Sequence, residues 1–161
     1  LGDIMYLEGR GFRDGIAEKA ETFIERRQTF PQGFIVVTSL TFPVGYITSE
    51  IWKYNQIVPI ENFALNHSIK DFHTIEGTEL YISSTTVEPE YRGKGIGNLL
   101  LNSCIKNVTD NFPQVKSVVL MVNDSWPDAI HIYTKNNFKW IHRYENFFGN
   151  NESGIIMRKL L

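Results

Sequence analysis

Apolar residues recur at helical spacing in two stretches near the start of the chain, Asp3 to Phe12 and Ile16 to Gln28. The second places Ile16, Ala20, Phe23 and Ile24 on one stripe, and Pro31-Gln32-Gly33 closes this helical region. The pattern then changes to β-rich runs: Phe34 to Thr38 reads as a strand, Thr41-Phe42-Pro43 as a turn, and Val44 to Trp52 as the antiparallel partner. Lys53 to Gly77 is a polar and aromatic insertion in which a helix is predicted over Ile60 to Phe72. Thr78 to Val87 is the next strand, Asn98 to Val108 an apolar helix, and Val115 to Val122 a buried strand after the break at Pro113. Pro127 suits the first turn of a helix over Asp128 to Asn136. Phe138 to Phe148 and Gly154 to Leu160 make a last hairpin across residues 149–153. With no linker, repeat or low-complexity segment, residues 1–161 read as a single α/β domain with a mixed, mostly antiparallel central sheet flanked by helices.

One junction in this pattern carries chemistry. Between the strand ending at Val87 and the helix containing Leu99 and Leu100 stands Glu88-Pro89-Glu90-Tyr91-Arg92-Gly93-Lys94-Gly95-Ile96-Gly97-Asn98. Three glycines at alternate positions let a backbone approach an anion closely. The free N–H groups and the positive dipole end of the following helix favour a bound phosphate, and Arg92 and Lys94 add charge there. A P-loop requires Gly-Lys followed by Ser or Thr, but Lys94 is followed by Gly95. A dinucleotide fingerprint requires G-x-G-x-x-G, whereas these glycines run G-x-G-x-G. Two readings are left, a tight capped strand-to-helix turn and a pyrophosphate cradle.

The string Arg92-Gly93-Lys94-Gly95-Ile96-Gly97 resembles motif A of the GCN5-related N-acetyltransferase (GNAT) superfamily, whose core is Arg/Gln-x-x-Gly-x-Gly/Ala. The resemblance implies the GNAT fold along nearly the whole chain, and acetyl-CoA as co-substrate. It places the CoA pyrophosphate on Arg92, Gly93, Lys94, Gly95, Ile96, Gly97 and Asn98, and the pantetheine arm along the main chain near Val87. A family member begins with a short strand before its first helix. This sequence begins at or inside that helix, so the first strand is expected to be missing.

Transfer of an acetyl group to an amine has barriers a protein can lower. Deprotonating a lysine-like amine at neutral pH costs roughly 4 kcal/mol. A donor aimed at the tetrahedral oxyanion contributes roughly 3 kcal/mol, and an acid must protonate the leaving thiolate. The segment Ala129-Ile-His-Ile-Tyr133-Thr-Lys-Asn-Asn137-Phe138 resembles the family's motif B, which makes Tyr133 the implied acid; the other reading is a helix tyrosine that only packs. Asn137 stands where the family has Gly, and Asn also adopts the left-handed cap. Trp126 stands where the family's helix opens with Asn. Counting back from Arg92 puts Glu79 at the catalytic glutamate of the histone-acetylating members, so Glu79 is the leading base, with a surface glutamate as the alternative. Tyr81 and Ser83 fall at the two histidine positions of the aralkylamine acetyltransferases, and Met121 replaces a glutamate of a ribosomal-protein acetyltransferase.

The acceptor is read in two ways. Gly45 to Trp52, followed by a long insertion, resembles the aralkylamine enzymes; Phe63, His67, Phe72 and His73 are then candidates to line an acceptor pocket, the other reading being that they anchor the insertion on the core. Tyr144 to Phe148 resembles the Asn-Tyr-Tyr run of peptide N-terminal acetyltransferases. A small primary amine is favoured, attacked directly in a ternary complex. The alternatives are a peptide or protein N-terminal acetyltransferase and a non-catalytic acyl-CoA-binding module.

Composition narrows the class further. A formal net charge of −2 with no basic run gives no support for nucleic-acid binding, and no apolar run approaches the roughly 18 residues of a membrane span. Cys104 is the single cysteine, which excludes an internal disulfide, suits a cytoplasmic setting, and reads as packing within an apolar run. His67, His73, His131 and His142 lack metal-ligand spacing, so no metal is expected. Sheet edges make a homodimer plausible.

Overall fold

The computed structural model describes residues 1–161. Two helices come first, α1 (Gly2–Gly11) and α2 (Ala20–Thr29), and a single 3-10 turn at Pro31–Gly33 leads into the sheet. Strands β1 (Phe34–Ser39) and β2 (Phe42–Trp52) form the expected hairpin. Its turn falls at Leu40 and Thr41 rather than at Pro43, because Leu40 takes the left-handed conformation at φ 56°. The insertion holds a 3-10 turn at Ile60–Phe63 and a short helix α3 (Ile69–Phe72), not the continuous helix predicted over Ile60 to Phe72. Extended backbone at Ala64 and the left-handed Asn66, at φ 59°, separate the two pieces. Ser68 caps α3 by accepting from the Lys70 amide. The rest follows in order: β3 (Glu79–Val87), α4 (Ile96–Asn111), β4 (Ser117–Asn123), α5 (Pro127–Lys135), β5 (Lys139–Gly149) and β6 (Glu152–Leu160).

The six strands lie in the order β1-β2-β3-β4-β6-β5, and only β3 and β4 are parallel neighbours. That pairing runs from Glu79↔Ser117 to Ile82↔Leu120 and stops. Beyond it, β3 keeps its partner β2 as far as Val87, while β4 keeps β6 as far as Asn123. The sheet therefore splits along its middle, and the split is the floor of a cleft. The β2–β3 register also slips between Thr48 and Ser49, leaving Ser83 as the extra residue of a β-bulge at the mouth of the split.

Strand β2 is buried from Val44 to Trp52, so both sheet faces are covered. Ile47, Ile51, Leu80, Ile82, Leu120 and Val122 meet Leu100, Leu101, Cys104 and Val108 of α4 in the main core. On the opposite face Tyr46 packs with Ile4, Leu7 and Phe23 of α1 and α2, and Trp52 stacks on Tyr81 beneath the insertion. Ile16 and Phe23 are buried as their stripe predicts, whereas Ile24 is 40% exposed because α2 starts only at Ala20. No helix is long and apolar enough to cross a membrane.

Candidate active site

The cleft between the splayed strands encloses about 880 Å³. At one end the chain leaves β3 through Glu88 and a 3-10 turn at Pro89–Tyr91 and enters the glycine loop. Gly93 and Gly95 take φ values of 74° and 83°, left-handed backbone that glycine reaches without a Cβ penalty, and both have open space around them. Gly95 caps α4 without a side-chain partner, so the first amides of that helix point free at the cleft. Gly97 instead sits close against α5: a Cβ there would meet the tip of the Ile132 side chain at 3.2 Å. Asn136 ties the same two helices together, donating to Asn98 Oδ1 at 2.7 Å and accepting from Asn102 at 3.1 Å.

Val87, Arg92, Gly93, Gly95, Ile96, Gly97 and Asn98 all border the cleft; Lys94 turns aside, its Nζ 4.9 Å from the centre of the Tyr91 ring. Arg92 donates from Nε to the Val87 carbonyl at 2.9 Å, so its side chain braces the loop against the strand end. A bent backbone cradle, free helix-terminal amides and unpaired strand edges suit a pyrophosphate with a long polar arm.

Tyr133 reaches the cleft from α5. It is 8% exposed, burial pushes its phenol up to about 12, and no protein group bonds the hydroxyl. Tyr133 thus lines the cleft as a protonated phenol whose hydroxyl no protein group bonds. Asn137 ends the helix at φ 67°, the left-handed cap that the sequence allows for Asn in place of Gly. Trp126 lines the cleft and packs between Phe12, at 5.5 Å, and Phe148, at 5.6 Å between ring centres.

Glu79 is a correction to the sequence reading. Its carboxylate is wholly buried at the closed, parallel-paired end of β3, away from the cleft. Arg158 of β6 binds both oxygens, from Nε at 2.7 Å and Nη2 at 2.8 Å, and Ser117 donates at 2.7 Å. Arg158 also holds the carbonyls of Gln56 and Asn55, at 3.0 and 2.6 Å, so the cluster pins the start of the insertion to the sheet. Three donors hold this carboxylate, and it does not border the cleft where an acceptor amine would sit.

Tyr81, Ser83, Met121 and Phe63 do border the cleft, but His67, Phe72 and His73 do not. His67 bonds Glu50 at 2.7 Å; burial opposes its protonated form, and that carboxylate outweighs burial and raises the imidazole pKa. His73 accepts the Ile51 amide at 3.0 Å, and Phe72 packs edge-on against Trp52.

The cleft wall includes residues that sequence reasoning missed. Glu8 and Glu18 border it from α1 and the loop after it, and Ser84, Thr85 and Thr86 from β3. Glu18 is committed to Arg26, at 2.7 and 2.9 Å. Glu8 bonds Tyr46 and accepts the Glu18 amide at 2.7 Å; burial, the main cause, raises its carboxyl to about 6. The available signal was its position: Glu8 shares the helical stripe of Ile4, Leu7 and Gly11, so an acid stood where an apolar residue belonged.

A family model for the acetyltransferase (GNAT) domain matches residues 43–140, the span from β2 to the start of β5. The chain belongs to the GNAT acetyltransferase family. An N-alpha-acetyltransferase of Saccharolobus solfataricus is 26% identical to this GNAT domain over 140 residues, 86% of this chain and 75% of the relative. The N-terminal acetyltransferase B complex catalytic subunit NAA20 of Arabidopsis thaliana is 30% identical over 81 residues, 50% of this chain and 46% of the relative. Among solved structures, the loading GNATL domain of CurA from Lyngbya majuscula superimposes with a TM-score of 0.82 at 16% identity. That match covers 99% of this chain and 92% of the other. The ribosomal-protein-S18-alanine N-acetyltransferase of Escherichia coli gives 0.69 at 18% identity, covering 99% and 86%. These two structures share the fold of this chain.

Proposed function

We propose that this GNAT domain transfers the acetyl group of acetyl-CoA to a primary amine, with the free N-terminal amine of a peptide as acceptor. The observation that carries the first part is the split between β3 and β4, with the glycine cradle at one end and Tyr133 in its wall. The amides of Gly93 to Asn98 hold the pyrophosphate, and the unpaired edge of β3 near Val87 takes the pantetheine arm. The amine attacks the thioester carbonyl, the N–C bond forms, and the C–S bond breaks. Tyr133 gives its proton to the departing thiolate, which burial permits because the phenol is fully protonated at neutral pH.

Two observations favour a peptide acceptor over the small amine expected from the sequence. The relatives matched over most of this chain are named N-alpha-acetyltransferases. Phe147 and Phe148, from the run resembling the peptide enzymes, also line the cleft. A small arylalkylamine is the second reading, favoured by the strap closing that side: Arg13 donates to the Phe148 carbonyl at 2.9 Å and to Glu152 at 2.8 Å.

Thiol release from acetyl-CoA tests the proposal, with short peptides, their N-acetylated forms and arylalkylamines as acceptors. Release with free peptides alone supports it. Release with arylalkylamines but not peptides replaces the acceptor with the second reading, and no release with any amine rejects amine acetylation.

A further inference from the structure

Three side chains are linked in a row along the cleft wall, which both end members, Ser84 and Glu8, border. Ser84 is half-buried on β3, just past the bulge at Ser83, and borders the cleft. Its Oγ lies 3.0 Å from the Tyr46 hydroxyl, which is buried on β2 and donates in turn to Oε2 of Glu8. Valence fixes the direction. Tyr46 has one hydroxyl proton and it is given to the Glu8 carboxylate, so Ser84 must be the donor across the 3.0 Å contact. No protein group donates to the lone pairs of Ser84, which borders the cleft. Glu18, the other carboxylate in the wall, is paired with the Arg26 guanidinium through both oxygens and also accepts the Asn66 amide at 2.9 Å.

We propose that Ser84, Tyr46 and Glu8 form the exit path for the proton of the acceptor amine. The inference rests on the acetyltransferase reading above and supplies the base that Glu79 does not. As the N–C bond forms, the nitrogen passes a proton to Ser84 Oγ, Ser84 passes its own to Tyr46, and Tyr46 passes its own to Glu8. Glu8 ends neutral, the thiolate leaves with the Tyr133 proton, and solvent restores both groups after product departs. A concerted shift forms no tyrosinate, which burial beside Glu8 strongly disfavours. Ser84 meets the amine and is the catalytic member; Tyr46 and Glu8 act through it. The titratable groups facing Glu8 are Tyr46 from β2, Glu18 from the loop after α1, and Arg26 from α2.

The test compares turnover of Ser84→Ala, Tyr46→Phe and Glu8→Gln with the parent protein from about pH 5 to about pH 9, using its best acceptor. Acetyl-CoA-induced melting shifts report folding and co-substrate binding. The expected result is a loss of about 10²-fold in kcat for each variant, with the melting shift retained. Glu8→Gln also flattens the acidic limb of the profile, and a weakly basic amine recovers part of the loss. Glu8→Gln risks loosening α1, but Ser84→Ala alters only a half-buried hydroxyl. An unchanged kcat in Ser84→Ala and Tyr46→Phe overturns the relay alone, as does a loss uniform across pH and accompanied by a lower melting temperature. A parent protein that binds acetyl-CoA and releases no thiol with any amine overturns both readings.

Discussion

Arg158 of β6 closes on both carboxylate oxygens of Glu79 across β4, at 2.7 and 2.8 Å, with both side chains buried. Pairs of this kind are expensive to break, because the surviving partner keeps its charge without compensation. Glu79→Ala is therefore expected to cost about 3–5 kcal/mol of folding stability, read as a shift of the urea midpoint. Turnover per folded molecule should be unchanged, since the pair lies at the closed end of β3. A stable variant with lost turnover would return Glu79 to the chemistry.

This pair shows where sequence reading stopped. Counting along the strand gave Glu79 its place on β3 correctly, but not the residue that reaches it from 79 positions away. The glycine loop and the Tyr133 helix were legible because their chemistry is local: backbone conformation, helix amides and one side chain. Glu8, Tyr46 and Ser84 come from α1, β2 and β3, and neither spacing nor periodicity brings them together. The insertion was misread for a local reason, since nothing in the polarity of residues 60–72 announces that Asn66 turns left-handed.

Tyr133→Phe removes one hydroxyl that no protein group bonds, so its stability cost should be small. Acid catalysis typically contributes about 10²–10⁴-fold, and kcat is expected to fall by a factor in that range. Affinity for CoA, measured by titration calorimetry, should stay nearly the same. Full turnover in the variant would assign the phenol a packing role.

Gly95→Ala probes the cradle. There is open space around the position, so the added methyl meets no neighbour and acts only through φ 83°. Holding an L-residue left-handed costs roughly 1–2 kcal/mol. The free loop escapes that cost by relaxing, and co-substrate binding must reverse the relaxation. CoA should bind roughly 5- to 30-fold more weakly, with little change in the melting temperature of the free protein. Equal affinity would mean that the loop does not hold the pyrophosphate through its backbone.

Arg13→Ala tests the strap. The guanidinium is more than a third exposed, so its loss should cost little stability. Its two bonds fix the loop after α1 to the hairpin tip at Phe148 and Glu152, and Phe148 lines the cleft. The expected outcome is a raised KM for the acceptor with unchanged KM for acetyl-CoA. Unchanged values for both would remove the strap from substrate binding.

The buried Glu8 carboxyl also leaves a signature in stability that is independent of turnover. Its folded pKa of about 6 stands above the ordinary 4.5, chiefly because burial disfavours the charged form. Below 4.5 the group is neutral in both folded and unfolded chains, and its neutral burial carries no ionisation cost. Between 4.5 and about 6 the unfolded chain releases the proton while the folded one keeps it, so stability falls as pH rises through that window. Above it both states are ionised and the effect levels off. A rise from 4.5 to about 6 corresponds to about 2 kcal/mol. Denaturant titrations of the parent and Glu8→Gln at a series of pH values should show the parent's stability falling relative to the variant's by about that amount across the window. A difference independent of pH would mean that Glu8 titrates as an ordinary exposed acid, and that the buried link to Tyr46 does not hold in solution.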